Sequence, residues 1–93
     1  MSGEARLGAV LFALSDPLRR RVLERVAARP GATVTEICAG FGVSRFAVMR
    51  HLNVLEEAGL VVREAAGRER HVRLAPGDWD RVVCDWLAGL RRE

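Results

Sequence analysis

Residues 44–55, SRFAVMRHLNVL, carry two sets of side chains that keep different time. Val48, Leu52 and Leu55 fall at i, i+4 and i+7, the spacing of an apolar stripe on one helix face. With about 100° between successive residues, Phe46, Arg50 and Asn53 land across from that stripe, with Met49 beside them and Arg45 near the N-terminal edge. A helix that only filled a core would not need this second set. Its chemistry matches what a major groove displays: arginine donors for guanine, an asparagine amide for adenine, apolar groups for the thymine methyl. Ser44 is placed to cap the helix. The candidate base-reading set is therefore Ser44, Arg45, Phe46, Met49, Arg50 and Asn53.

The elements around this helix must hold it out toward a partner. Gly42-Val43 reads as a tight turn, preceded by a short helix from Glu36 to Phe41 capped by Thr35, with Thr33-Val34 extended before it. Two short helices joined by a glycine turn make a helix-turn-helix. Upstream, Leu7, Val10, Leu11 and Leu14 place a helix over Glu4 to Leu14. Asp16 caps a second helix, which opens on Pro17 and runs to about Ala28 with Leu18, Val22 and Val26 inward. Arg19, Arg20 and Arg21 crowd the start of this helix, against its macrodipole, so a nearby carboxylate or a bound phosphate is expected to offset them. Downstream, Ala58-Gly59 stops the central helix, with Gly59 free to take positive φ. Residues 60–75 read as two strands around a turn near Ala66-Gly67, with Val72 and Leu74 on one face and Arg63, Arg68, Arg70 and Arg73 decorating the hairpin. Arginines on a hairpin directly after such a helix suit a wing that lies along the DNA backbone or minor groove, with Arg68 and Arg70 as the contacts.

Pro76-Gly77 ends the hairpin, and Asp78 is placed to cap a last helix through about Arg92. Its apolar positions are Trp79, Val82, Val83, Trp86, Leu87 and Leu90. Two tryptophans on the terminal helix of a small domain are more surface than it buries alone, and aromatic enrichment marks interfaces. Leu7, Leu11, Trp79, Val83, Trp86 and Leu90 are accordingly the candidate dimer contacts.

The 93 residues suit one domain, 1–93, whose thin core favours oligomerisation. A hydrophobic fraction of 49% with 29% charged residues fits an ordinary globular chain. No apolar run approaches the roughly 18 residues of a membrane span and no signal peptide opens the chain, so a cytoplasmic protein without membrane contact is expected. All 15 basic residues are arginine and the net charge is +3, which fits a polyanionic partner. A GC-rich coding bias is the weightier explanation of the missing lysine. Cys38 and Cys84 lie far apart and read as buried small hydrophobes. No nucleophile with its base, phosphate loop or paired-carboxylate cleft is visible, so no enzyme and no cofactor is expected.

The run S-x-x-x-V-x-x-H-L-x-x-L-x-x-x-G-L-V, within residues 35–74, resembles the helix-turn-helix and wing of the ArsR/SmtB family, and residues 14–26 resemble that family's second helix. The resemblance implies a mainly α fold with a small β-hairpin (α+β), a winged helix-turn-helix dimerising through its first and last helices. It also implies a homodimer that binds double-stranded DNA at a palindromic operator and represses transcription until an effector acts. His51 matches the family's His-Leu pair and reads as a structural or phosphate-contacting residue. The arsenic-sensing members' C-x-C-x-x-C retains only Cys38 here, with Thr33 and Thr35 where the other thiolates would stand. The last helix offers Asp78, Asp80 and Asp85 but no histidine, a poor set for zinc or nickel, so no metal site is expected. Two other readings stay open: a thiol- or metal-responsive repressor using Cys38 and Cys84, and a winged-helix module for protein contact.

Overall fold

The computed structural model describes residues 3–92; Met1, Ser2 and Glu93, the remainder of the expected 1–93 domain, lie outside the described residues. Among the described residues, five helices and three strands follow in the order α1 (Gly3–Ala13), α2 (Pro17–Ala28), β1 (Ala32–Thr33), α3 (Val34–Cys38), α4 (Arg45–Glu57), β2 (Val61–Ala66), β3 (Glu69–Leu74) and α5 (Trp79–Gly89). The strands form an antiparallel sheet in the order β1-β3-β2. Val61 pairs with Leu74 and Ala66 with Glu69, so the hairpin turns on Gly67 and Arg68. On its other side β3 pairs Ala32 with Val72, which ties the start of the helix-turn-helix to the hairpin.

One core joins these elements. Val10 and Ala13 of α1, Val22 and Val26 of α2, Ile37 of α3 and the α4 stripe Val48, Leu52 and Leu55 meet Leu60, Val61 and Val72 from the hairpin, all buried. The inward stripe of α1 differs from the expected one: Val10 and Ala13 are its buried residues, Leu7 and Leu14 are half-buried, and Leu11 faces out. Leu18 is likewise only half-buried.

Local signals account for most boundaries. The Asp16 carboxylate accepts the Arg19 amide at 3.0 Å, and Pro17 sits in the first turn of α2, where its missing N–H leaves nothing unpaired. The C-terminus of α4 is a Schellman motif: the Leu60 amide donates to the Leu55 carbonyl and the Gly59 amide to Glu56, both at 3.0 Å. The motif needs Gly59 in the left-handed region, where it lies at φ 80°.

Two boundary expectations require correction. α3 starts two residues earlier than expected, because Thr33 rather than Thr35 caps it, and it ends at Cys38 rather than Phe41. The Thr33 hydroxyl accepts the Glu36 amide at 3.1 Å, while the Glu36 carboxylate accepts the Thr33 amide at 2.9 Å. This reciprocal box satisfies two amides, which Thr35 could not match without a glutamate three residues on. At α5, Asp78 occupies the cap position but makes no side-chain capping bond.

The arginines at the start of α2 find a different solution from the one expected. Arg19 is buried, 8% exposed, and reaches back to the end of α1. Its Nε donates to the Ala13 carbonyl at 2.7 Å and one terminal nitrogen to the Phe12 carbonyl at 3.3 Å. Arg20 donates to the Leu14 carbonyl at 2.6 Å. The cations therefore satisfy the open carbonyls of α1, at a helix C-terminus where positive charge is favoured.

Candidate nucleic-acid interface

The α4 helix begins where the Ser44 hydroxyl accepts the Ala47 amide at 3.1 Å. Its buried stripe fixes its roll, and the opposite face is turned outward. Phe46 is 72% exposed, although apolar surface normally seeks cover. The Arg50 guanidinium lies 5.9 Å from the Phe46 ring centroid, within cation–π range. Arg45 is exposed and donates to the Thr35 hydroxyl at 2.9 Å, linking α4 to α3. Met49 is half-buried at the edge of the core. Asn53 is exposed one turn beyond Met49.

Between this helix and the hairpin runs a cleft of about 480 Å³, lined by Thr33, Thr35, Arg45, Met49, Arg68 and Arg70 among others. Arg68 and Arg70 are exposed on its hairpin side. Three guanidiniums and two hydroxyls thus edge one groove, with Glu36 and Glu69 as the carboxylates in it. The Glu36 carboxyl is held below the usual range because it accepts the Thr33 amide, so the capping box keeps it charged.

Arg63 does not decorate the hairpin surface as expected. Its side chain is 9% exposed, and one terminal nitrogen contacts Glu56 Oε1 at 2.6 Å and Asn53 Oδ1 at 2.7 Å. The guanidinium beside Glu56 holds that carboxyl below its ordinary value. Arg73 pairs with Glu64 across the hairpin at 3.4 Å. The four hairpin arginines therefore divide: Arg68 and Arg70 line the groove, Arg73 is paired on the sheet, and Arg63 is packed at the root. Strand alternation alone could not reveal this, since the partners of Arg63 lie on the preceding helix.

The two histidines are both engaged with the fold. His51 Nδ1 lies 3.2 Å from the buried Arg19; a guanidinium has no acceptor, so His51 accepts there and carries its hydrogen on Nε2. His71 Nδ1 donates to the Gly31 carbonyl at 2.8 Å, the only role a carbonyl partner leaves it. Among the described residues, no group of three or more His, Cys, Asp or Glu side chains is placed to hold a metal ion. Cys38 is half-buried, with its thiol pushed up by burial, whereas Cys84, expected to be buried as well, is exposed.

The candidate dimer residues separate into two groups. Trp79 and Val83 pack against the chain's own core, and the Trp79 indole donates to the Ala75 carbonyl at 2.9 Å. Leu11, Trp86 and Leu90 are exposed, the last two by 48% and 59%. Leu7 and Trp86 line an open groove of about 350 Å³ between α1 and α5. Leu87, exposed beside them, is absent from the sequence-derived set although it falls on the same face.

A helix-turn-helix whose second helix presents an exposed polar face beside an arginine-edged hairpin defines a winged helix-turn-helix DNA-binding domain. Known proteins carry the assignment further. Residues 14–64 match the family described as a helix-turn-helix domain. The HTH-type transcriptional regulator Rv2034 of Mycobacterium tuberculosis is 45% identical over 64 residues, 69% of this chain and 59% of that protein's length. An ArsR family transcriptional regulator, RHA00566, superposes with a TM-score of 0.83 at 32% identity, covering 95% of this chain and 89% of its own. The homodimeric winged helix-turn-helix domain Mb0332 from Mycobacterium bovis superposes at 0.70 with 25% identity, covering 98% and 82%. The chain belongs to the ArsR family of winged helix-turn-helix transcriptional regulators. These relatives are transcriptional regulators rather than enzymes.

Proposed function

We propose that this chain is a repressor that binds a palindromic operator as a homodimer, with α4 in the major groove and the β2–β3 wing on the backbone. The observation that carries the reading is the outward face of α4. Phe46 and Arg50 are exposed there without a partner in the core, and no packing requirement of the chain accounts for their types. Arg68 and Arg70 stand across the cleft, where a phosphate backbone running past α4 would meet them. The exposed α5 residues Trp86, Leu87 and Leu90, with the exposed Leu11 of α1, would close against a second copy, in keeping with the homodimeric relative. Because Rv2034 is matched over only part of its length, its activity as a whole protein adds nothing here.

No metal participates in this proposal, and a cytoplasmic setting goes with it; among the described residues no helix is long and apolar enough to cross a membrane. Burial of the Cys38 thiol weighs against that residue's part in the thiol-responsive alternative, while Cys84 is exposed.

Titration of the dimer against duplex DNA at two salt concentrations tests the reading. Affinity should fall steeply with salt, as counterion release requires. Arg50→Ala should reduce discrimination between operator and random duplex by roughly 1–3 kcal/mol. Arg68→Ala and Arg70→Ala should weaken both kinds of DNA and flatten the salt slope. Identical behaviour of all three variants would refute the division into readers and clamps. Absence of any preferred duplex would leave a protein-contact module as the better account.

A further inference from the structure

Asn53 stands out on the proposed reading face because its side chain is already held. One terminal nitrogen of Arg63 lies 2.7 Å from Asn53 Oδ1 and 2.6 Å from Glu56 Oε1. That nitrogen carries two hydrogens, one for each acceptor, so a single guanidinium group bridges two α4 residues a turn apart. Arg63 has little freedom to leave: its side chain is nine-tenths buried and its backbone pairs with Val72 in the sheet.

We infer that Arg63 is a positioning residue that fixes which end of the Asn53 amide faces the DNA, and so which base Asn53 reads. The inference rests on the proposed DNA-reading role of α4. Its chemistry is one-sided. A guanidinium donates and cannot accept, so only the amide oxygen of Asn53 can face it. The guanidinium lies on the buried side and Asn53 is exposed, so Oδ1 is the inner end of the amide and Nδ2 the outer. A free asparagine offers a donor and an acceptor together and pairs bidentately with adenine N6 and N7. Here Arg63 takes one lone pair of Oδ1 and keeps that oxygen turned inward, so the group presented outward is the donor pair of Nδ2. Its complement in the major groove is an edge with adjacent acceptors, guanine O6 and N7, and the cytosine amino group is its mismatch. Glu56 keeps the clamp in place: as a carboxylate it ties the guanidinium to α4 from the opposite side of the shared nitrogen.

The test is selection of binding sites from a randomised duplex library by wild type, Asn53→Ala, Arg63→Met and Arg63→Lys. Each variant is first checked for an unchanged helical circular dichroism spectrum and oligomeric state. The wild type should enrich a site in which one base pair per half-site depends on Asn53, with guanine preferred there. Arg63→Met should move that one position toward adenine, changing the guanine-to-adenine ratio roughly tenfold or more, while the remaining positions keep their preferences. Arg63→Lys, which again supplies donors without an acceptor, should restore guanine. In the 15N spectrum, the Asn53 side-chain amide should shift in Arg63→Met and not in Arg50→Ala. An adenine preference already present in the wild type would overturn the inference, and so would an Arg63→Met variant that weakens all positions equally. In both cases the operator itself would still be recovered. Failure of the wild type to enrich any site would instead overturn the DNA-reading role on which the inference rests.

Discussion

At the scale of single residues, type did not reveal role. Fifteen arginines look alike in the sequence, yet Arg19 closes the end of α1, Arg63 clamps α4, and Arg68 and Arg70 edge the groove. The two cysteines divide in the same way. Cys38 lies against the core with its thiol pushed up by burial, while Cys84 is exposed on α5. A responsive thiol must reach its thiolate form, and burial opposes that for Cys38. The double variant Cys38→Ser/Cys84→Ser is therefore expected to bind operator DNA with unchanged affinity. Fluorescence anisotropy should likewise find no release of wild type by zinc, arsenite or peroxide at stoichiometric dose. Release of the wild type but not of the double variant would restore the thiol-responsive reading.

At the scale of elements, the sequence was most legible where one signal had no competitor. Val48, Leu52 and Leu55 declared the buried face of α4, and Ser44 and Gly59 declared its ends. The start of α3 was misread because two threonines compete there, and the choice depends on a reciprocal bond that only Thr33 can make with Glu36. The roles of Arg19 and Arg63 were illegible, because both reach across from one element to another and no local periodicity encodes that. The elements also share a dependence on carboxylates. Asp16 and Glu36 are held below their ordinary values of 3.8 and 4.5 by backbone amides, and Glu56, below 4.5, by Arg63. A depressed folded-state pKa adds stability that is present above the unfolded value and lost as pH falls through the folded one. Thermal midpoints should therefore hold from about pH 7 to about pH 5 and fall as the pH drops through 4 and below. Glu36→Gln, which keeps an acceptor but does not titrate, should make that fall shallower. A midpoint that rises on acidification would contradict the assignment of these three carboxylates.

At the scale of the whole molecule, the fold leaves an apolar stripe that it does not cover. No residue of α5 is buried, yet Trp86, Leu87 and Leu90 share one side of it, with Leu7 of α1 across the groove from Trp86. The two tryptophans divide the work of that helix. Trp79 turns inward, bonded to the Ala75 carbonyl, and Trp86 turns out. If the stripe closes across a two-fold axis, the variants should separate by concentration dependence. Trp86→Ala should lose about 3–5 kcal/mol of association, the usual cost of removing a buried aromatic, and sediment as a monomer at micromolar concentration. Its thermal midpoint should then rise little with protein concentration, whereas the wild-type midpoint rises, as binding of a second copy requires. Trp79→Ala should lower the midpoint at every concentration, because its contacts lie within one chain. Dimerisation also sets the geometry of the DNA site: two α4 helices related by the axis should address half-sites about 34 Å apart, one turn of the duplex. A wild type that sediments as a monomer at micromolar concentration would remove both expectations, since one copy alone has no second half-site to read.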